Sequence, residues 1–219
     1  MAIKHHRLQG VFKQGNSIYT LNLNPGKQVY GEKLLKQGNK EYREWNPKKS
    51  KLGAAILKGI SQIGIMPTKT ILYLGCSYGT TCSHVSDIVG EKGFVFGVDP
   101  MPRVMRDFYF LCEERENMAP IMEDANHPER YENIGKVDVV FQDIAQRQQV
   151  EIFLKNCKQF LKPKGTGILS VKARSIDVTK KPRHIFDNVR HQLSKNAKVV
   201  DYRELDPYEK DHCLFVIKL

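Results

Sequence analysis

Ile71-Leu-Tyr-Leu-Gly75-Cys-Ser-Tyr-Gly79-Thr80-Thr81 decides the fold. A short apolar run, Ile71 to Leu74, stops at a glycine. Four residues later a second glycine precedes two threonines, and Val85, Ile88 and Val89 then recur at helical spacing. This predicts a buried strand over 70–75, a tight glycine turn and a helix over 80–89, with Thr80 as its N-cap. Such a turn lets a ligand approach the backbone closely. The dinucleotide fingerprint G-x-G-x-x-G needs a middle glycine that G-x-x-x-G does not supply, which argues against a nicotinamide or flavin oxidoreductase. The next apolar run, Phe94 to Val98, ends at Asp99, whose carboxylate can accept both hydroxyls of an adenosine ribose. Strand, turn, helix, strand and acid together predict an S-adenosylmethionine site, with Tyr78 lining the cofactor or packing beside the turn.

Outward from this stretch, strands and helices alternate. Strands are expected at 94–99, about 120–122, 137–142, 166–172, 197–203 and 212–218, with helices at 101–116, 147–161 and 183–195. That order implies a mostly parallel α/β sheet. No helix separates the last two strands, so they should form an antiparallel hairpin, as in the methyltransferase variant of the doubly wound, Rossmann-like fold. Before residue 50 the reading is different. Alternating runs broken by Gln14-Gly-Asn16, Asn24-Pro25-Gly26 and Gly38-Asn39 predict two hairpins in a small antiparallel β domain, residues 1–50. Asn46-Pro47 opens a helix with a stripe of Leu52, Ala55, Ile56 and Ile60, and residues 51–219 form the methyltransferase domain.

The 219-residue chain is 41% hydrophobic, enough for a real core, and no apolar run approaches the ~20 residues of a membrane span. Five scattered cysteines without a C-x-x-C pair predict reduced intracellular thiols rather than a disulfide frame or zinc site. The net charge of +11 is uneven: residues 1–60 hold 12 Lys/Arg against 3 Asp/Glu, and residues 170–195 hold 7 against 2. Two basic blocks around a neutral-to-acidic middle point to a polyanion, with nucleic acid first.

In open α/β sheets ligands bind beyond the carboxyl ends of the strands. Asp99, Asp124-Ala125, Asp143 and Lys172 all fall there. Asp124 could read an adenine amino group. Lys172 could deprotonate a ribose hydroxyl if burial or a neighbouring cation depresses its pKa, with Asp143 orienting it and no metal required. His84 and Asp87, at i and i+3 on a helix, lack a third ligand and are read as structural.

Several segments resemble the fibrillarin family: Leu74 to Val89, Tyr42-Arg-Glu-Trp-Asn-Pro-Lys-Lys-Ser-Lys-Leu52, Asp143-Ile-Ala-Gln146, Lys172-Ala-Arg-Ser-Ile-Asp-Val-Thr-Lys180 and Asp206-Pro-Tyr-Glu-Lys-Asp-His212. The resemblance runs from about residue 28 to the end. It implies an S-adenosylmethionine-dependent RNA 2′-O-methyltransferase, the catalytic subunit of a box C/D particle acting on ribosomal and transfer RNA. The implied partners are a guide RNA with its target RNA, a Nop-domain scaffold protein and, indirectly, a kink-turn-binding protein. The implied catalytic set is Lys51, Asp143, Lys172 and His212, with Lys172 the base. Cofactor positions would be Gly75, Tyr78, Gly79, Thr80, Thr81, Asp99, Pro100, Asp124, Ala125, Asp143 and Gln146. Arg174, Lys180, Lys181 and Arg183 are the expected RNA contacts. The sequence departs from the family at Cys76-Ser77-Tyr78, Asp99-Pro100 and Arg147. The alternative is a subunit that keeps the fold without the chemistry.

Overall fold

The computed structural model describes residues 2–219. Five strands form an antiparallel sheet: β1 (Lys4–His5), β2 (Val11–Gln14), β3 (Ser17–Leu21), β4 (Leu34–Gln37) and β5 (Lys40–Trp45), in the order β1-β2-β3-β5-β4. Helix α1 (Lys51–Leu57) follows. The second sheet holds β6 (Thr70–Leu74), β7 (Phe94–Val98), β8 (Met118–Ile121), β9 (Val137–Gln142), β10 (Leu161–Lys172), β11 (Lys198–Glu204) and β12 (His212–Lys218). Its order is β11-β12-β10-β9-β6-β7-β8, and only the pairs that involve β12 are antiparallel. Helices α2 (Thr80–Val89), α3 (Pro102–Glu113), α4 (Gln149–Phe160), α5 (Ala173–Ile176) and α6 (Pro182–Ser194) connect these strands.

The expected parallel sheet with a reversed strand is therefore observed, and the two N-terminal hairpins join through the β3–β5 pair. Two differences concern local chemistry. Helix α1 begins at Lys51, several residues after Asn46-Pro47, because Ser50 is the cap: its Oγ accepts the Gly53 N–H at 3.2 Å. Thr80 is not a cap. Gly79 takes that position with φ +84°, a left-handed conformation that glycine adopts without a steric penalty. A Cβ on Gly79 would also meet Leu111 at 2.4 Å, so this glycine lets α3 pack on the turn.

Strand β6 lies between β9 and β7, and Ile71 to Leu74 are buried, as a strand covered on both faces requires. Helix α2 is buried from Thr81 to Val89 because it lies between the two sheets. Cys82, Val85, Ile88 and Val89 join the apolar core. Its polar residues meet the N-terminal sheet through a charge network. Arg43 on β5 donates from Nη1 to Asp87 Oδ2 at 2.8 Å, from Nε to Glu32 Oε1 at 2.6 Å and from Nη2 to Ser83 Oγ at 2.8 Å. Arg115 reaches Asp87 Oδ1 at 2.8 Å. His84 lies among these groups, stacked on Trp45 with ring centroids 4.8 Å apart. Its Nδ1 and Nε2 lie 2.8 and 2.7 Å from the hydroxyls of Thr20 and Tyr30. Both His84 and Asp87 are thus structural.

Burial, with Arg43 and Arg115 nearby, holds His84 well below its ordinary value of 6.5. The native state therefore resists a proton that the unfolded chain accepts. Stability is full above the unfolded pKa and is lost as pH falls below about 6.5 toward the native value. We expect the denaturation midpoint of the wild type to fall between pH 7.5 and pH 5. His84→Gln should be less stable at pH 7.5 yet show a flatter decline. Equal declines in the two proteins would remove this role.

Candidate active site

Strand β6 is followed by Gly75, whose N–H donates to Val98 O at 2.8 Å and so pins the turn to β7. Gly75 has φ +81°, and a Cβ there would meet Asp143 O at 2.6 Å. No other residue allows both the turn and this approach. The close contact brings the carboxyl ends of β6 and β9 together, and the Asp143 N–H donates to Leu74 O at 2.9 Å. A cavity of about 260 Å³ opens beyond these ends. Gly75, Asp99, Pro100, Asp124, Ala125, Asp143 and Gln146 line it. Seven expected cofactor residues, drawn from four segments of the chain, thus surround one space.

Tyr78, Gly79, Thr80 and Thr81 do not line this cavity. Tyr78 projects outward, 48% exposed. Thr81 is buried and donates to Ser50 Oγ at 3.0 Å, joining the starts of α1 and α2. The Thr80 carbonyl accepts from Ser83 Oγ at 2.9 Å.

The two acidic strand ends are held differently. Asp99 accepts the Ser77 N–H on Oδ2 and the Met101 N–H on Oδ1, both at 3.1 Å. Each oxygen keeps a further acceptor site for a ligand hydroxyl. Sequence reasoning does not find Ser77, since a backbone donor leaves no mark on side-chain identity. Asp124 Oδ1 accepts the Asn126 N–H at 2.9 Å and Asn126 Nδ2 at 2.8 Å, and these bonds keep its carboxyl below the usual range.

Asp143 pairs with Lys51 Nζ at 3.2 Å. This corrects the expectation that Asp143 orients Lys172: its carboxylate holds the lysine at the start of α1. Burial alone would lower Lys51, but the Asp143 charge and hydrogen bond outweigh it and raise the ammonium above its ordinary value. Lys51 is therefore a fixed cation. Lys172 ends β10, exposed, directly opposite His212 in the β10–β12 register. His212 Nδ1 lies 2.7 Å from the Lys210 carbonyl, which can only accept, so Nδ1 carries a proton. A neutral His212 ring then leaves Nε2 as an acceptor.

Gln149 is a second residue beside the site that the sequence motifs pass over. It is fully buried in the first turn of α4. Its Oε1 accepts the Lys172 N–H at 3.2 Å and its Nε2 donates to Gln146 O at 2.7 Å, so it ties the loop after β9 to the end of β10. A glutamine on the inward face of an otherwise amphipathic helix is the signal that could have found it.

The expected RNA contacts are exposed around the loop after Lys172. Arg174 pairs with Asp211 at 3.1 Å and Lys180 with Asp177 at 3.4 Å, while Lys181 and Arg183 have no ion pair among the described residues.

Comparisons with known proteins agree with this geometry. The family profile described as Fibrillarin matches residues 2–219. A Thermococcus onnurineus protein named fibrillarin-like rRNA/tRNA 2′-O-methyltransferase is 51% identical, covering 100% of this chain and 99% of that protein. The structure of Aeropyrum pernix fibrillarin with natively bound S-adenosyl-L-methionine superposes with a TM-score of 0.90 at 38% identity, covering 99% of this chain and 98% of that one. A fibrillarin/Nop5p complex gives a TM-score of 0.87 at 37% identity, with 97% and 99% covered. A profile match over nearly every residue and a relative of the same length and half the same sequence leave one assignment: this chain belongs to the fibrillarin family.

Proposed function

We propose that this chain is the S-adenosylmethionine-dependent RNA ribose 2′-O-methyltransferase of a box C/D particle, acting on ribosomal and transfer RNA. The carrying observation is the juxtaposition of one acid-lined crevice with the Lys51–Asp143 pair at its edge. A Nop-domain scaffold protein holds the enzyme in that particle. A guide RNA selects the nucleotide, and a kink-turn-binding protein reaches the enzyme through the scaffold.

The residues present fit the cofactor. Asp99 offers acceptors for ribose hydroxyls, and Asp124 keeps Oδ2 without a partner among the described residues. Gly75 leaves room where a Cβ would close the crevice. S-adenosylmethionine supplies a methyl group already activated by its sulfonium. Asp143 presents negative charge to that end of the crevice and fixes Lys51. Lys51, charged throughout the neutral range, stabilises an oxyanion developing on the target ribose. Lys172, as the neutral amine, takes the single proton of that hydroxyl, and His212, opposite it in the strand register, contacts the target ribose and positions it.

Three measurements test this reading. Asp99→Ala should weaken S-adenosylmethionine binding by roughly 10–100-fold in calorimetric titration, the scale of charged hydrogen bonds; unchanged affinity would remove the cofactor assignment. Lys172→Ala should lose roughly 10²–10⁴-fold in single-turnover rate with cofactor affinity intact, and the rise of rate with pH should go with it. A near wild-type rate would sink the base assignment. Neutralising Arg174, Lys180, Lys181 and Arg183 should weaken RNA association and flatten its salt dependence, by about 0.7–0.9 in log–log slope for each phosphate no longer neutralised. Lys181 and Arg183 should account for most of the change because no carboxylate holds them. An unaltered slope would mean that this face does not meet the RNA.

A further inference from the structure

Strand β10 parts from β9 before it reaches Lys172. The parallel pairing ends with Leu169 against Gln142, whereas the antiparallel pairing with β12 continues to Lys172 itself. On the β9 side the Lys172 N–H has no strand partner, and a side chain takes it: Gln149 Oε1 accepts at 3.2 Å. Gln149 is fully buried, and a buried amide is tolerated when its hydrogen bonds are made. Its Nε2 donates to the Gln146 carbonyl at 2.7 Å, and its own carbonyl accepts Gln142 Nε2 at 2.6 Å. An apolar residue would fill the same inward place on α4, as Val150, Ile152, Phe153 and Phe160 do beside it. Gln142 Oε1 is buried without a partner among the described residues, so stability does not explain this glutamine cluster.

The same helix also holds the cofactor side. Asn156 follows Gln149 by about two turns of α4 and shares its inward face. It too is fully buried. Its Nδ2 donates to the Ala125 carbonyl at 2.9 Å, and its Oδ1 accepts the Tyr131 hydroxyl at 2.6 Å. Ala125 and Gln146 both line the crevice. Helix α4 thus binds two segments of the crevice wall and, through Gln149, the backbone of Lys172. Between Asn156 and Gln149 it is a rigid spacer of about 10 Å. Apolar packing alone would leave α4 free to slide by fractions of an ångström; directional bonds at both ends remove that freedom.

We propose that Gln149 is a positioning residue for methyl transfer: through α4 it fixes the backbone of Lys172 relative to the wall that holds the cofactor. This rests on the proposed function for the role of Lys172. Gln149 does not line the crevice and acts only through the groups it holds. The target hydroxyl gives up its proton as its oxygen takes the methyl group. The amine must therefore reach an oxygen whose place the cofactor sets. Lys172 is exposed and has no carboxylate partner among the described residues, so its backbone determines where its amine can reach. A misplacement of about 1 Å at such a group costs on the order of 10²-fold in rate.

The test is single-turnover methylation in the assembled particle, with guide and target RNA and saturating S-adenosylmethionine, beside calorimetric titration of the cofactor. Gln149→Met keeps the length of the side chain and removes both of its hydrogen bonds. It should lower the rate about 10–10²-fold while cofactor affinity stays within about 3-fold of wild type. In a Lys172→Ala background the same substitution should change the rate less than about 2-fold, because its effect passes through Lys172. A merely structural glutamine would slow both backgrounds alike. That result overturns the positioning role, as does a wild-type rate in the single variant. Either leaves the proposed function standing as long as Lys172→Ala alone is slow. A wild-type rate in Lys172→Ala overturns the base assignment and the positioning role together. Hydrogen exchange at the Lys172 amide needs no variant and serves if Gln149→Met does not fold. In the wild-type chain that amide should exchange at least about 10-fold more slowly with S-adenosylmethionine bound than without it. An amide that exchanges at the unprotected rate, or ignores the cofactor, overturns the link.

Discussion

Arg43, Asp87, Arg115 and Glu32 cancel one another's charge in the seam between the two sheets, with none of their side chains more than 2% exposed. A balanced buried set like this adds little net stability over well-packed apolar residues. Removing one member, however, strands a charge and costs on the order of 3–5 kcal/mol. Its structural consequence is directional. It fixes the five-stranded sheet against the helix that follows the glycine turn, and so fixes what comes after β5. Ser50 accepts from Gly53 and from Thr81, locking the start of α1 to the start of α2. Lys51 is the next residue. The ammonium at the reaction crevice is thus positioned by an ion network on the far side of α2, and the N-terminal sheet belongs to the machinery of the site.

The parts of the fold that are legible in the sequence are those set by local pattern. Apolar runs, glycine turns and the missing helix before β12 imply the alternating sheet and its reversed strand. Acids after buried strands mark the crevice, because a parallel sheet brings strand ends together wherever they lie in the chain. Arg43 is not legible. On an alternating strand it reads as a surface cation, but β5 is buried at Glu41, Tyr42 and Arg43 in succession. Its partner Asp87 lies 44 residues later, and nothing local announces the pairing. Helix α2 shows the same limit. Its polar residues suggest a solvent face, and that face is instead covered by a second sheet. Residue type alone makes Thr80 the cap, whereas the φ of Gly79 places the boundary one residue earlier.

The pairing at the crevice resolves a conflict in the chemistry. A carboxylate bound to a lysine stabilises its ammonium and makes it a worse proton acceptor. Had Asp143 held Lys172, orientation would have been gained at the expense of basicity. The structure holds the two lysines by different means. Asp143 holds Lys51, which is raised and stays charged. Lys172 is positioned through its backbone, by the Gln149 bond to its N–H and by the strand register with His212. Its amine has no carboxylate partner among the described residues. One lysine is therefore held as a cation by a carboxylate and the other stands without one among the described residues, and the difference arises from which of them the β9 end can reach.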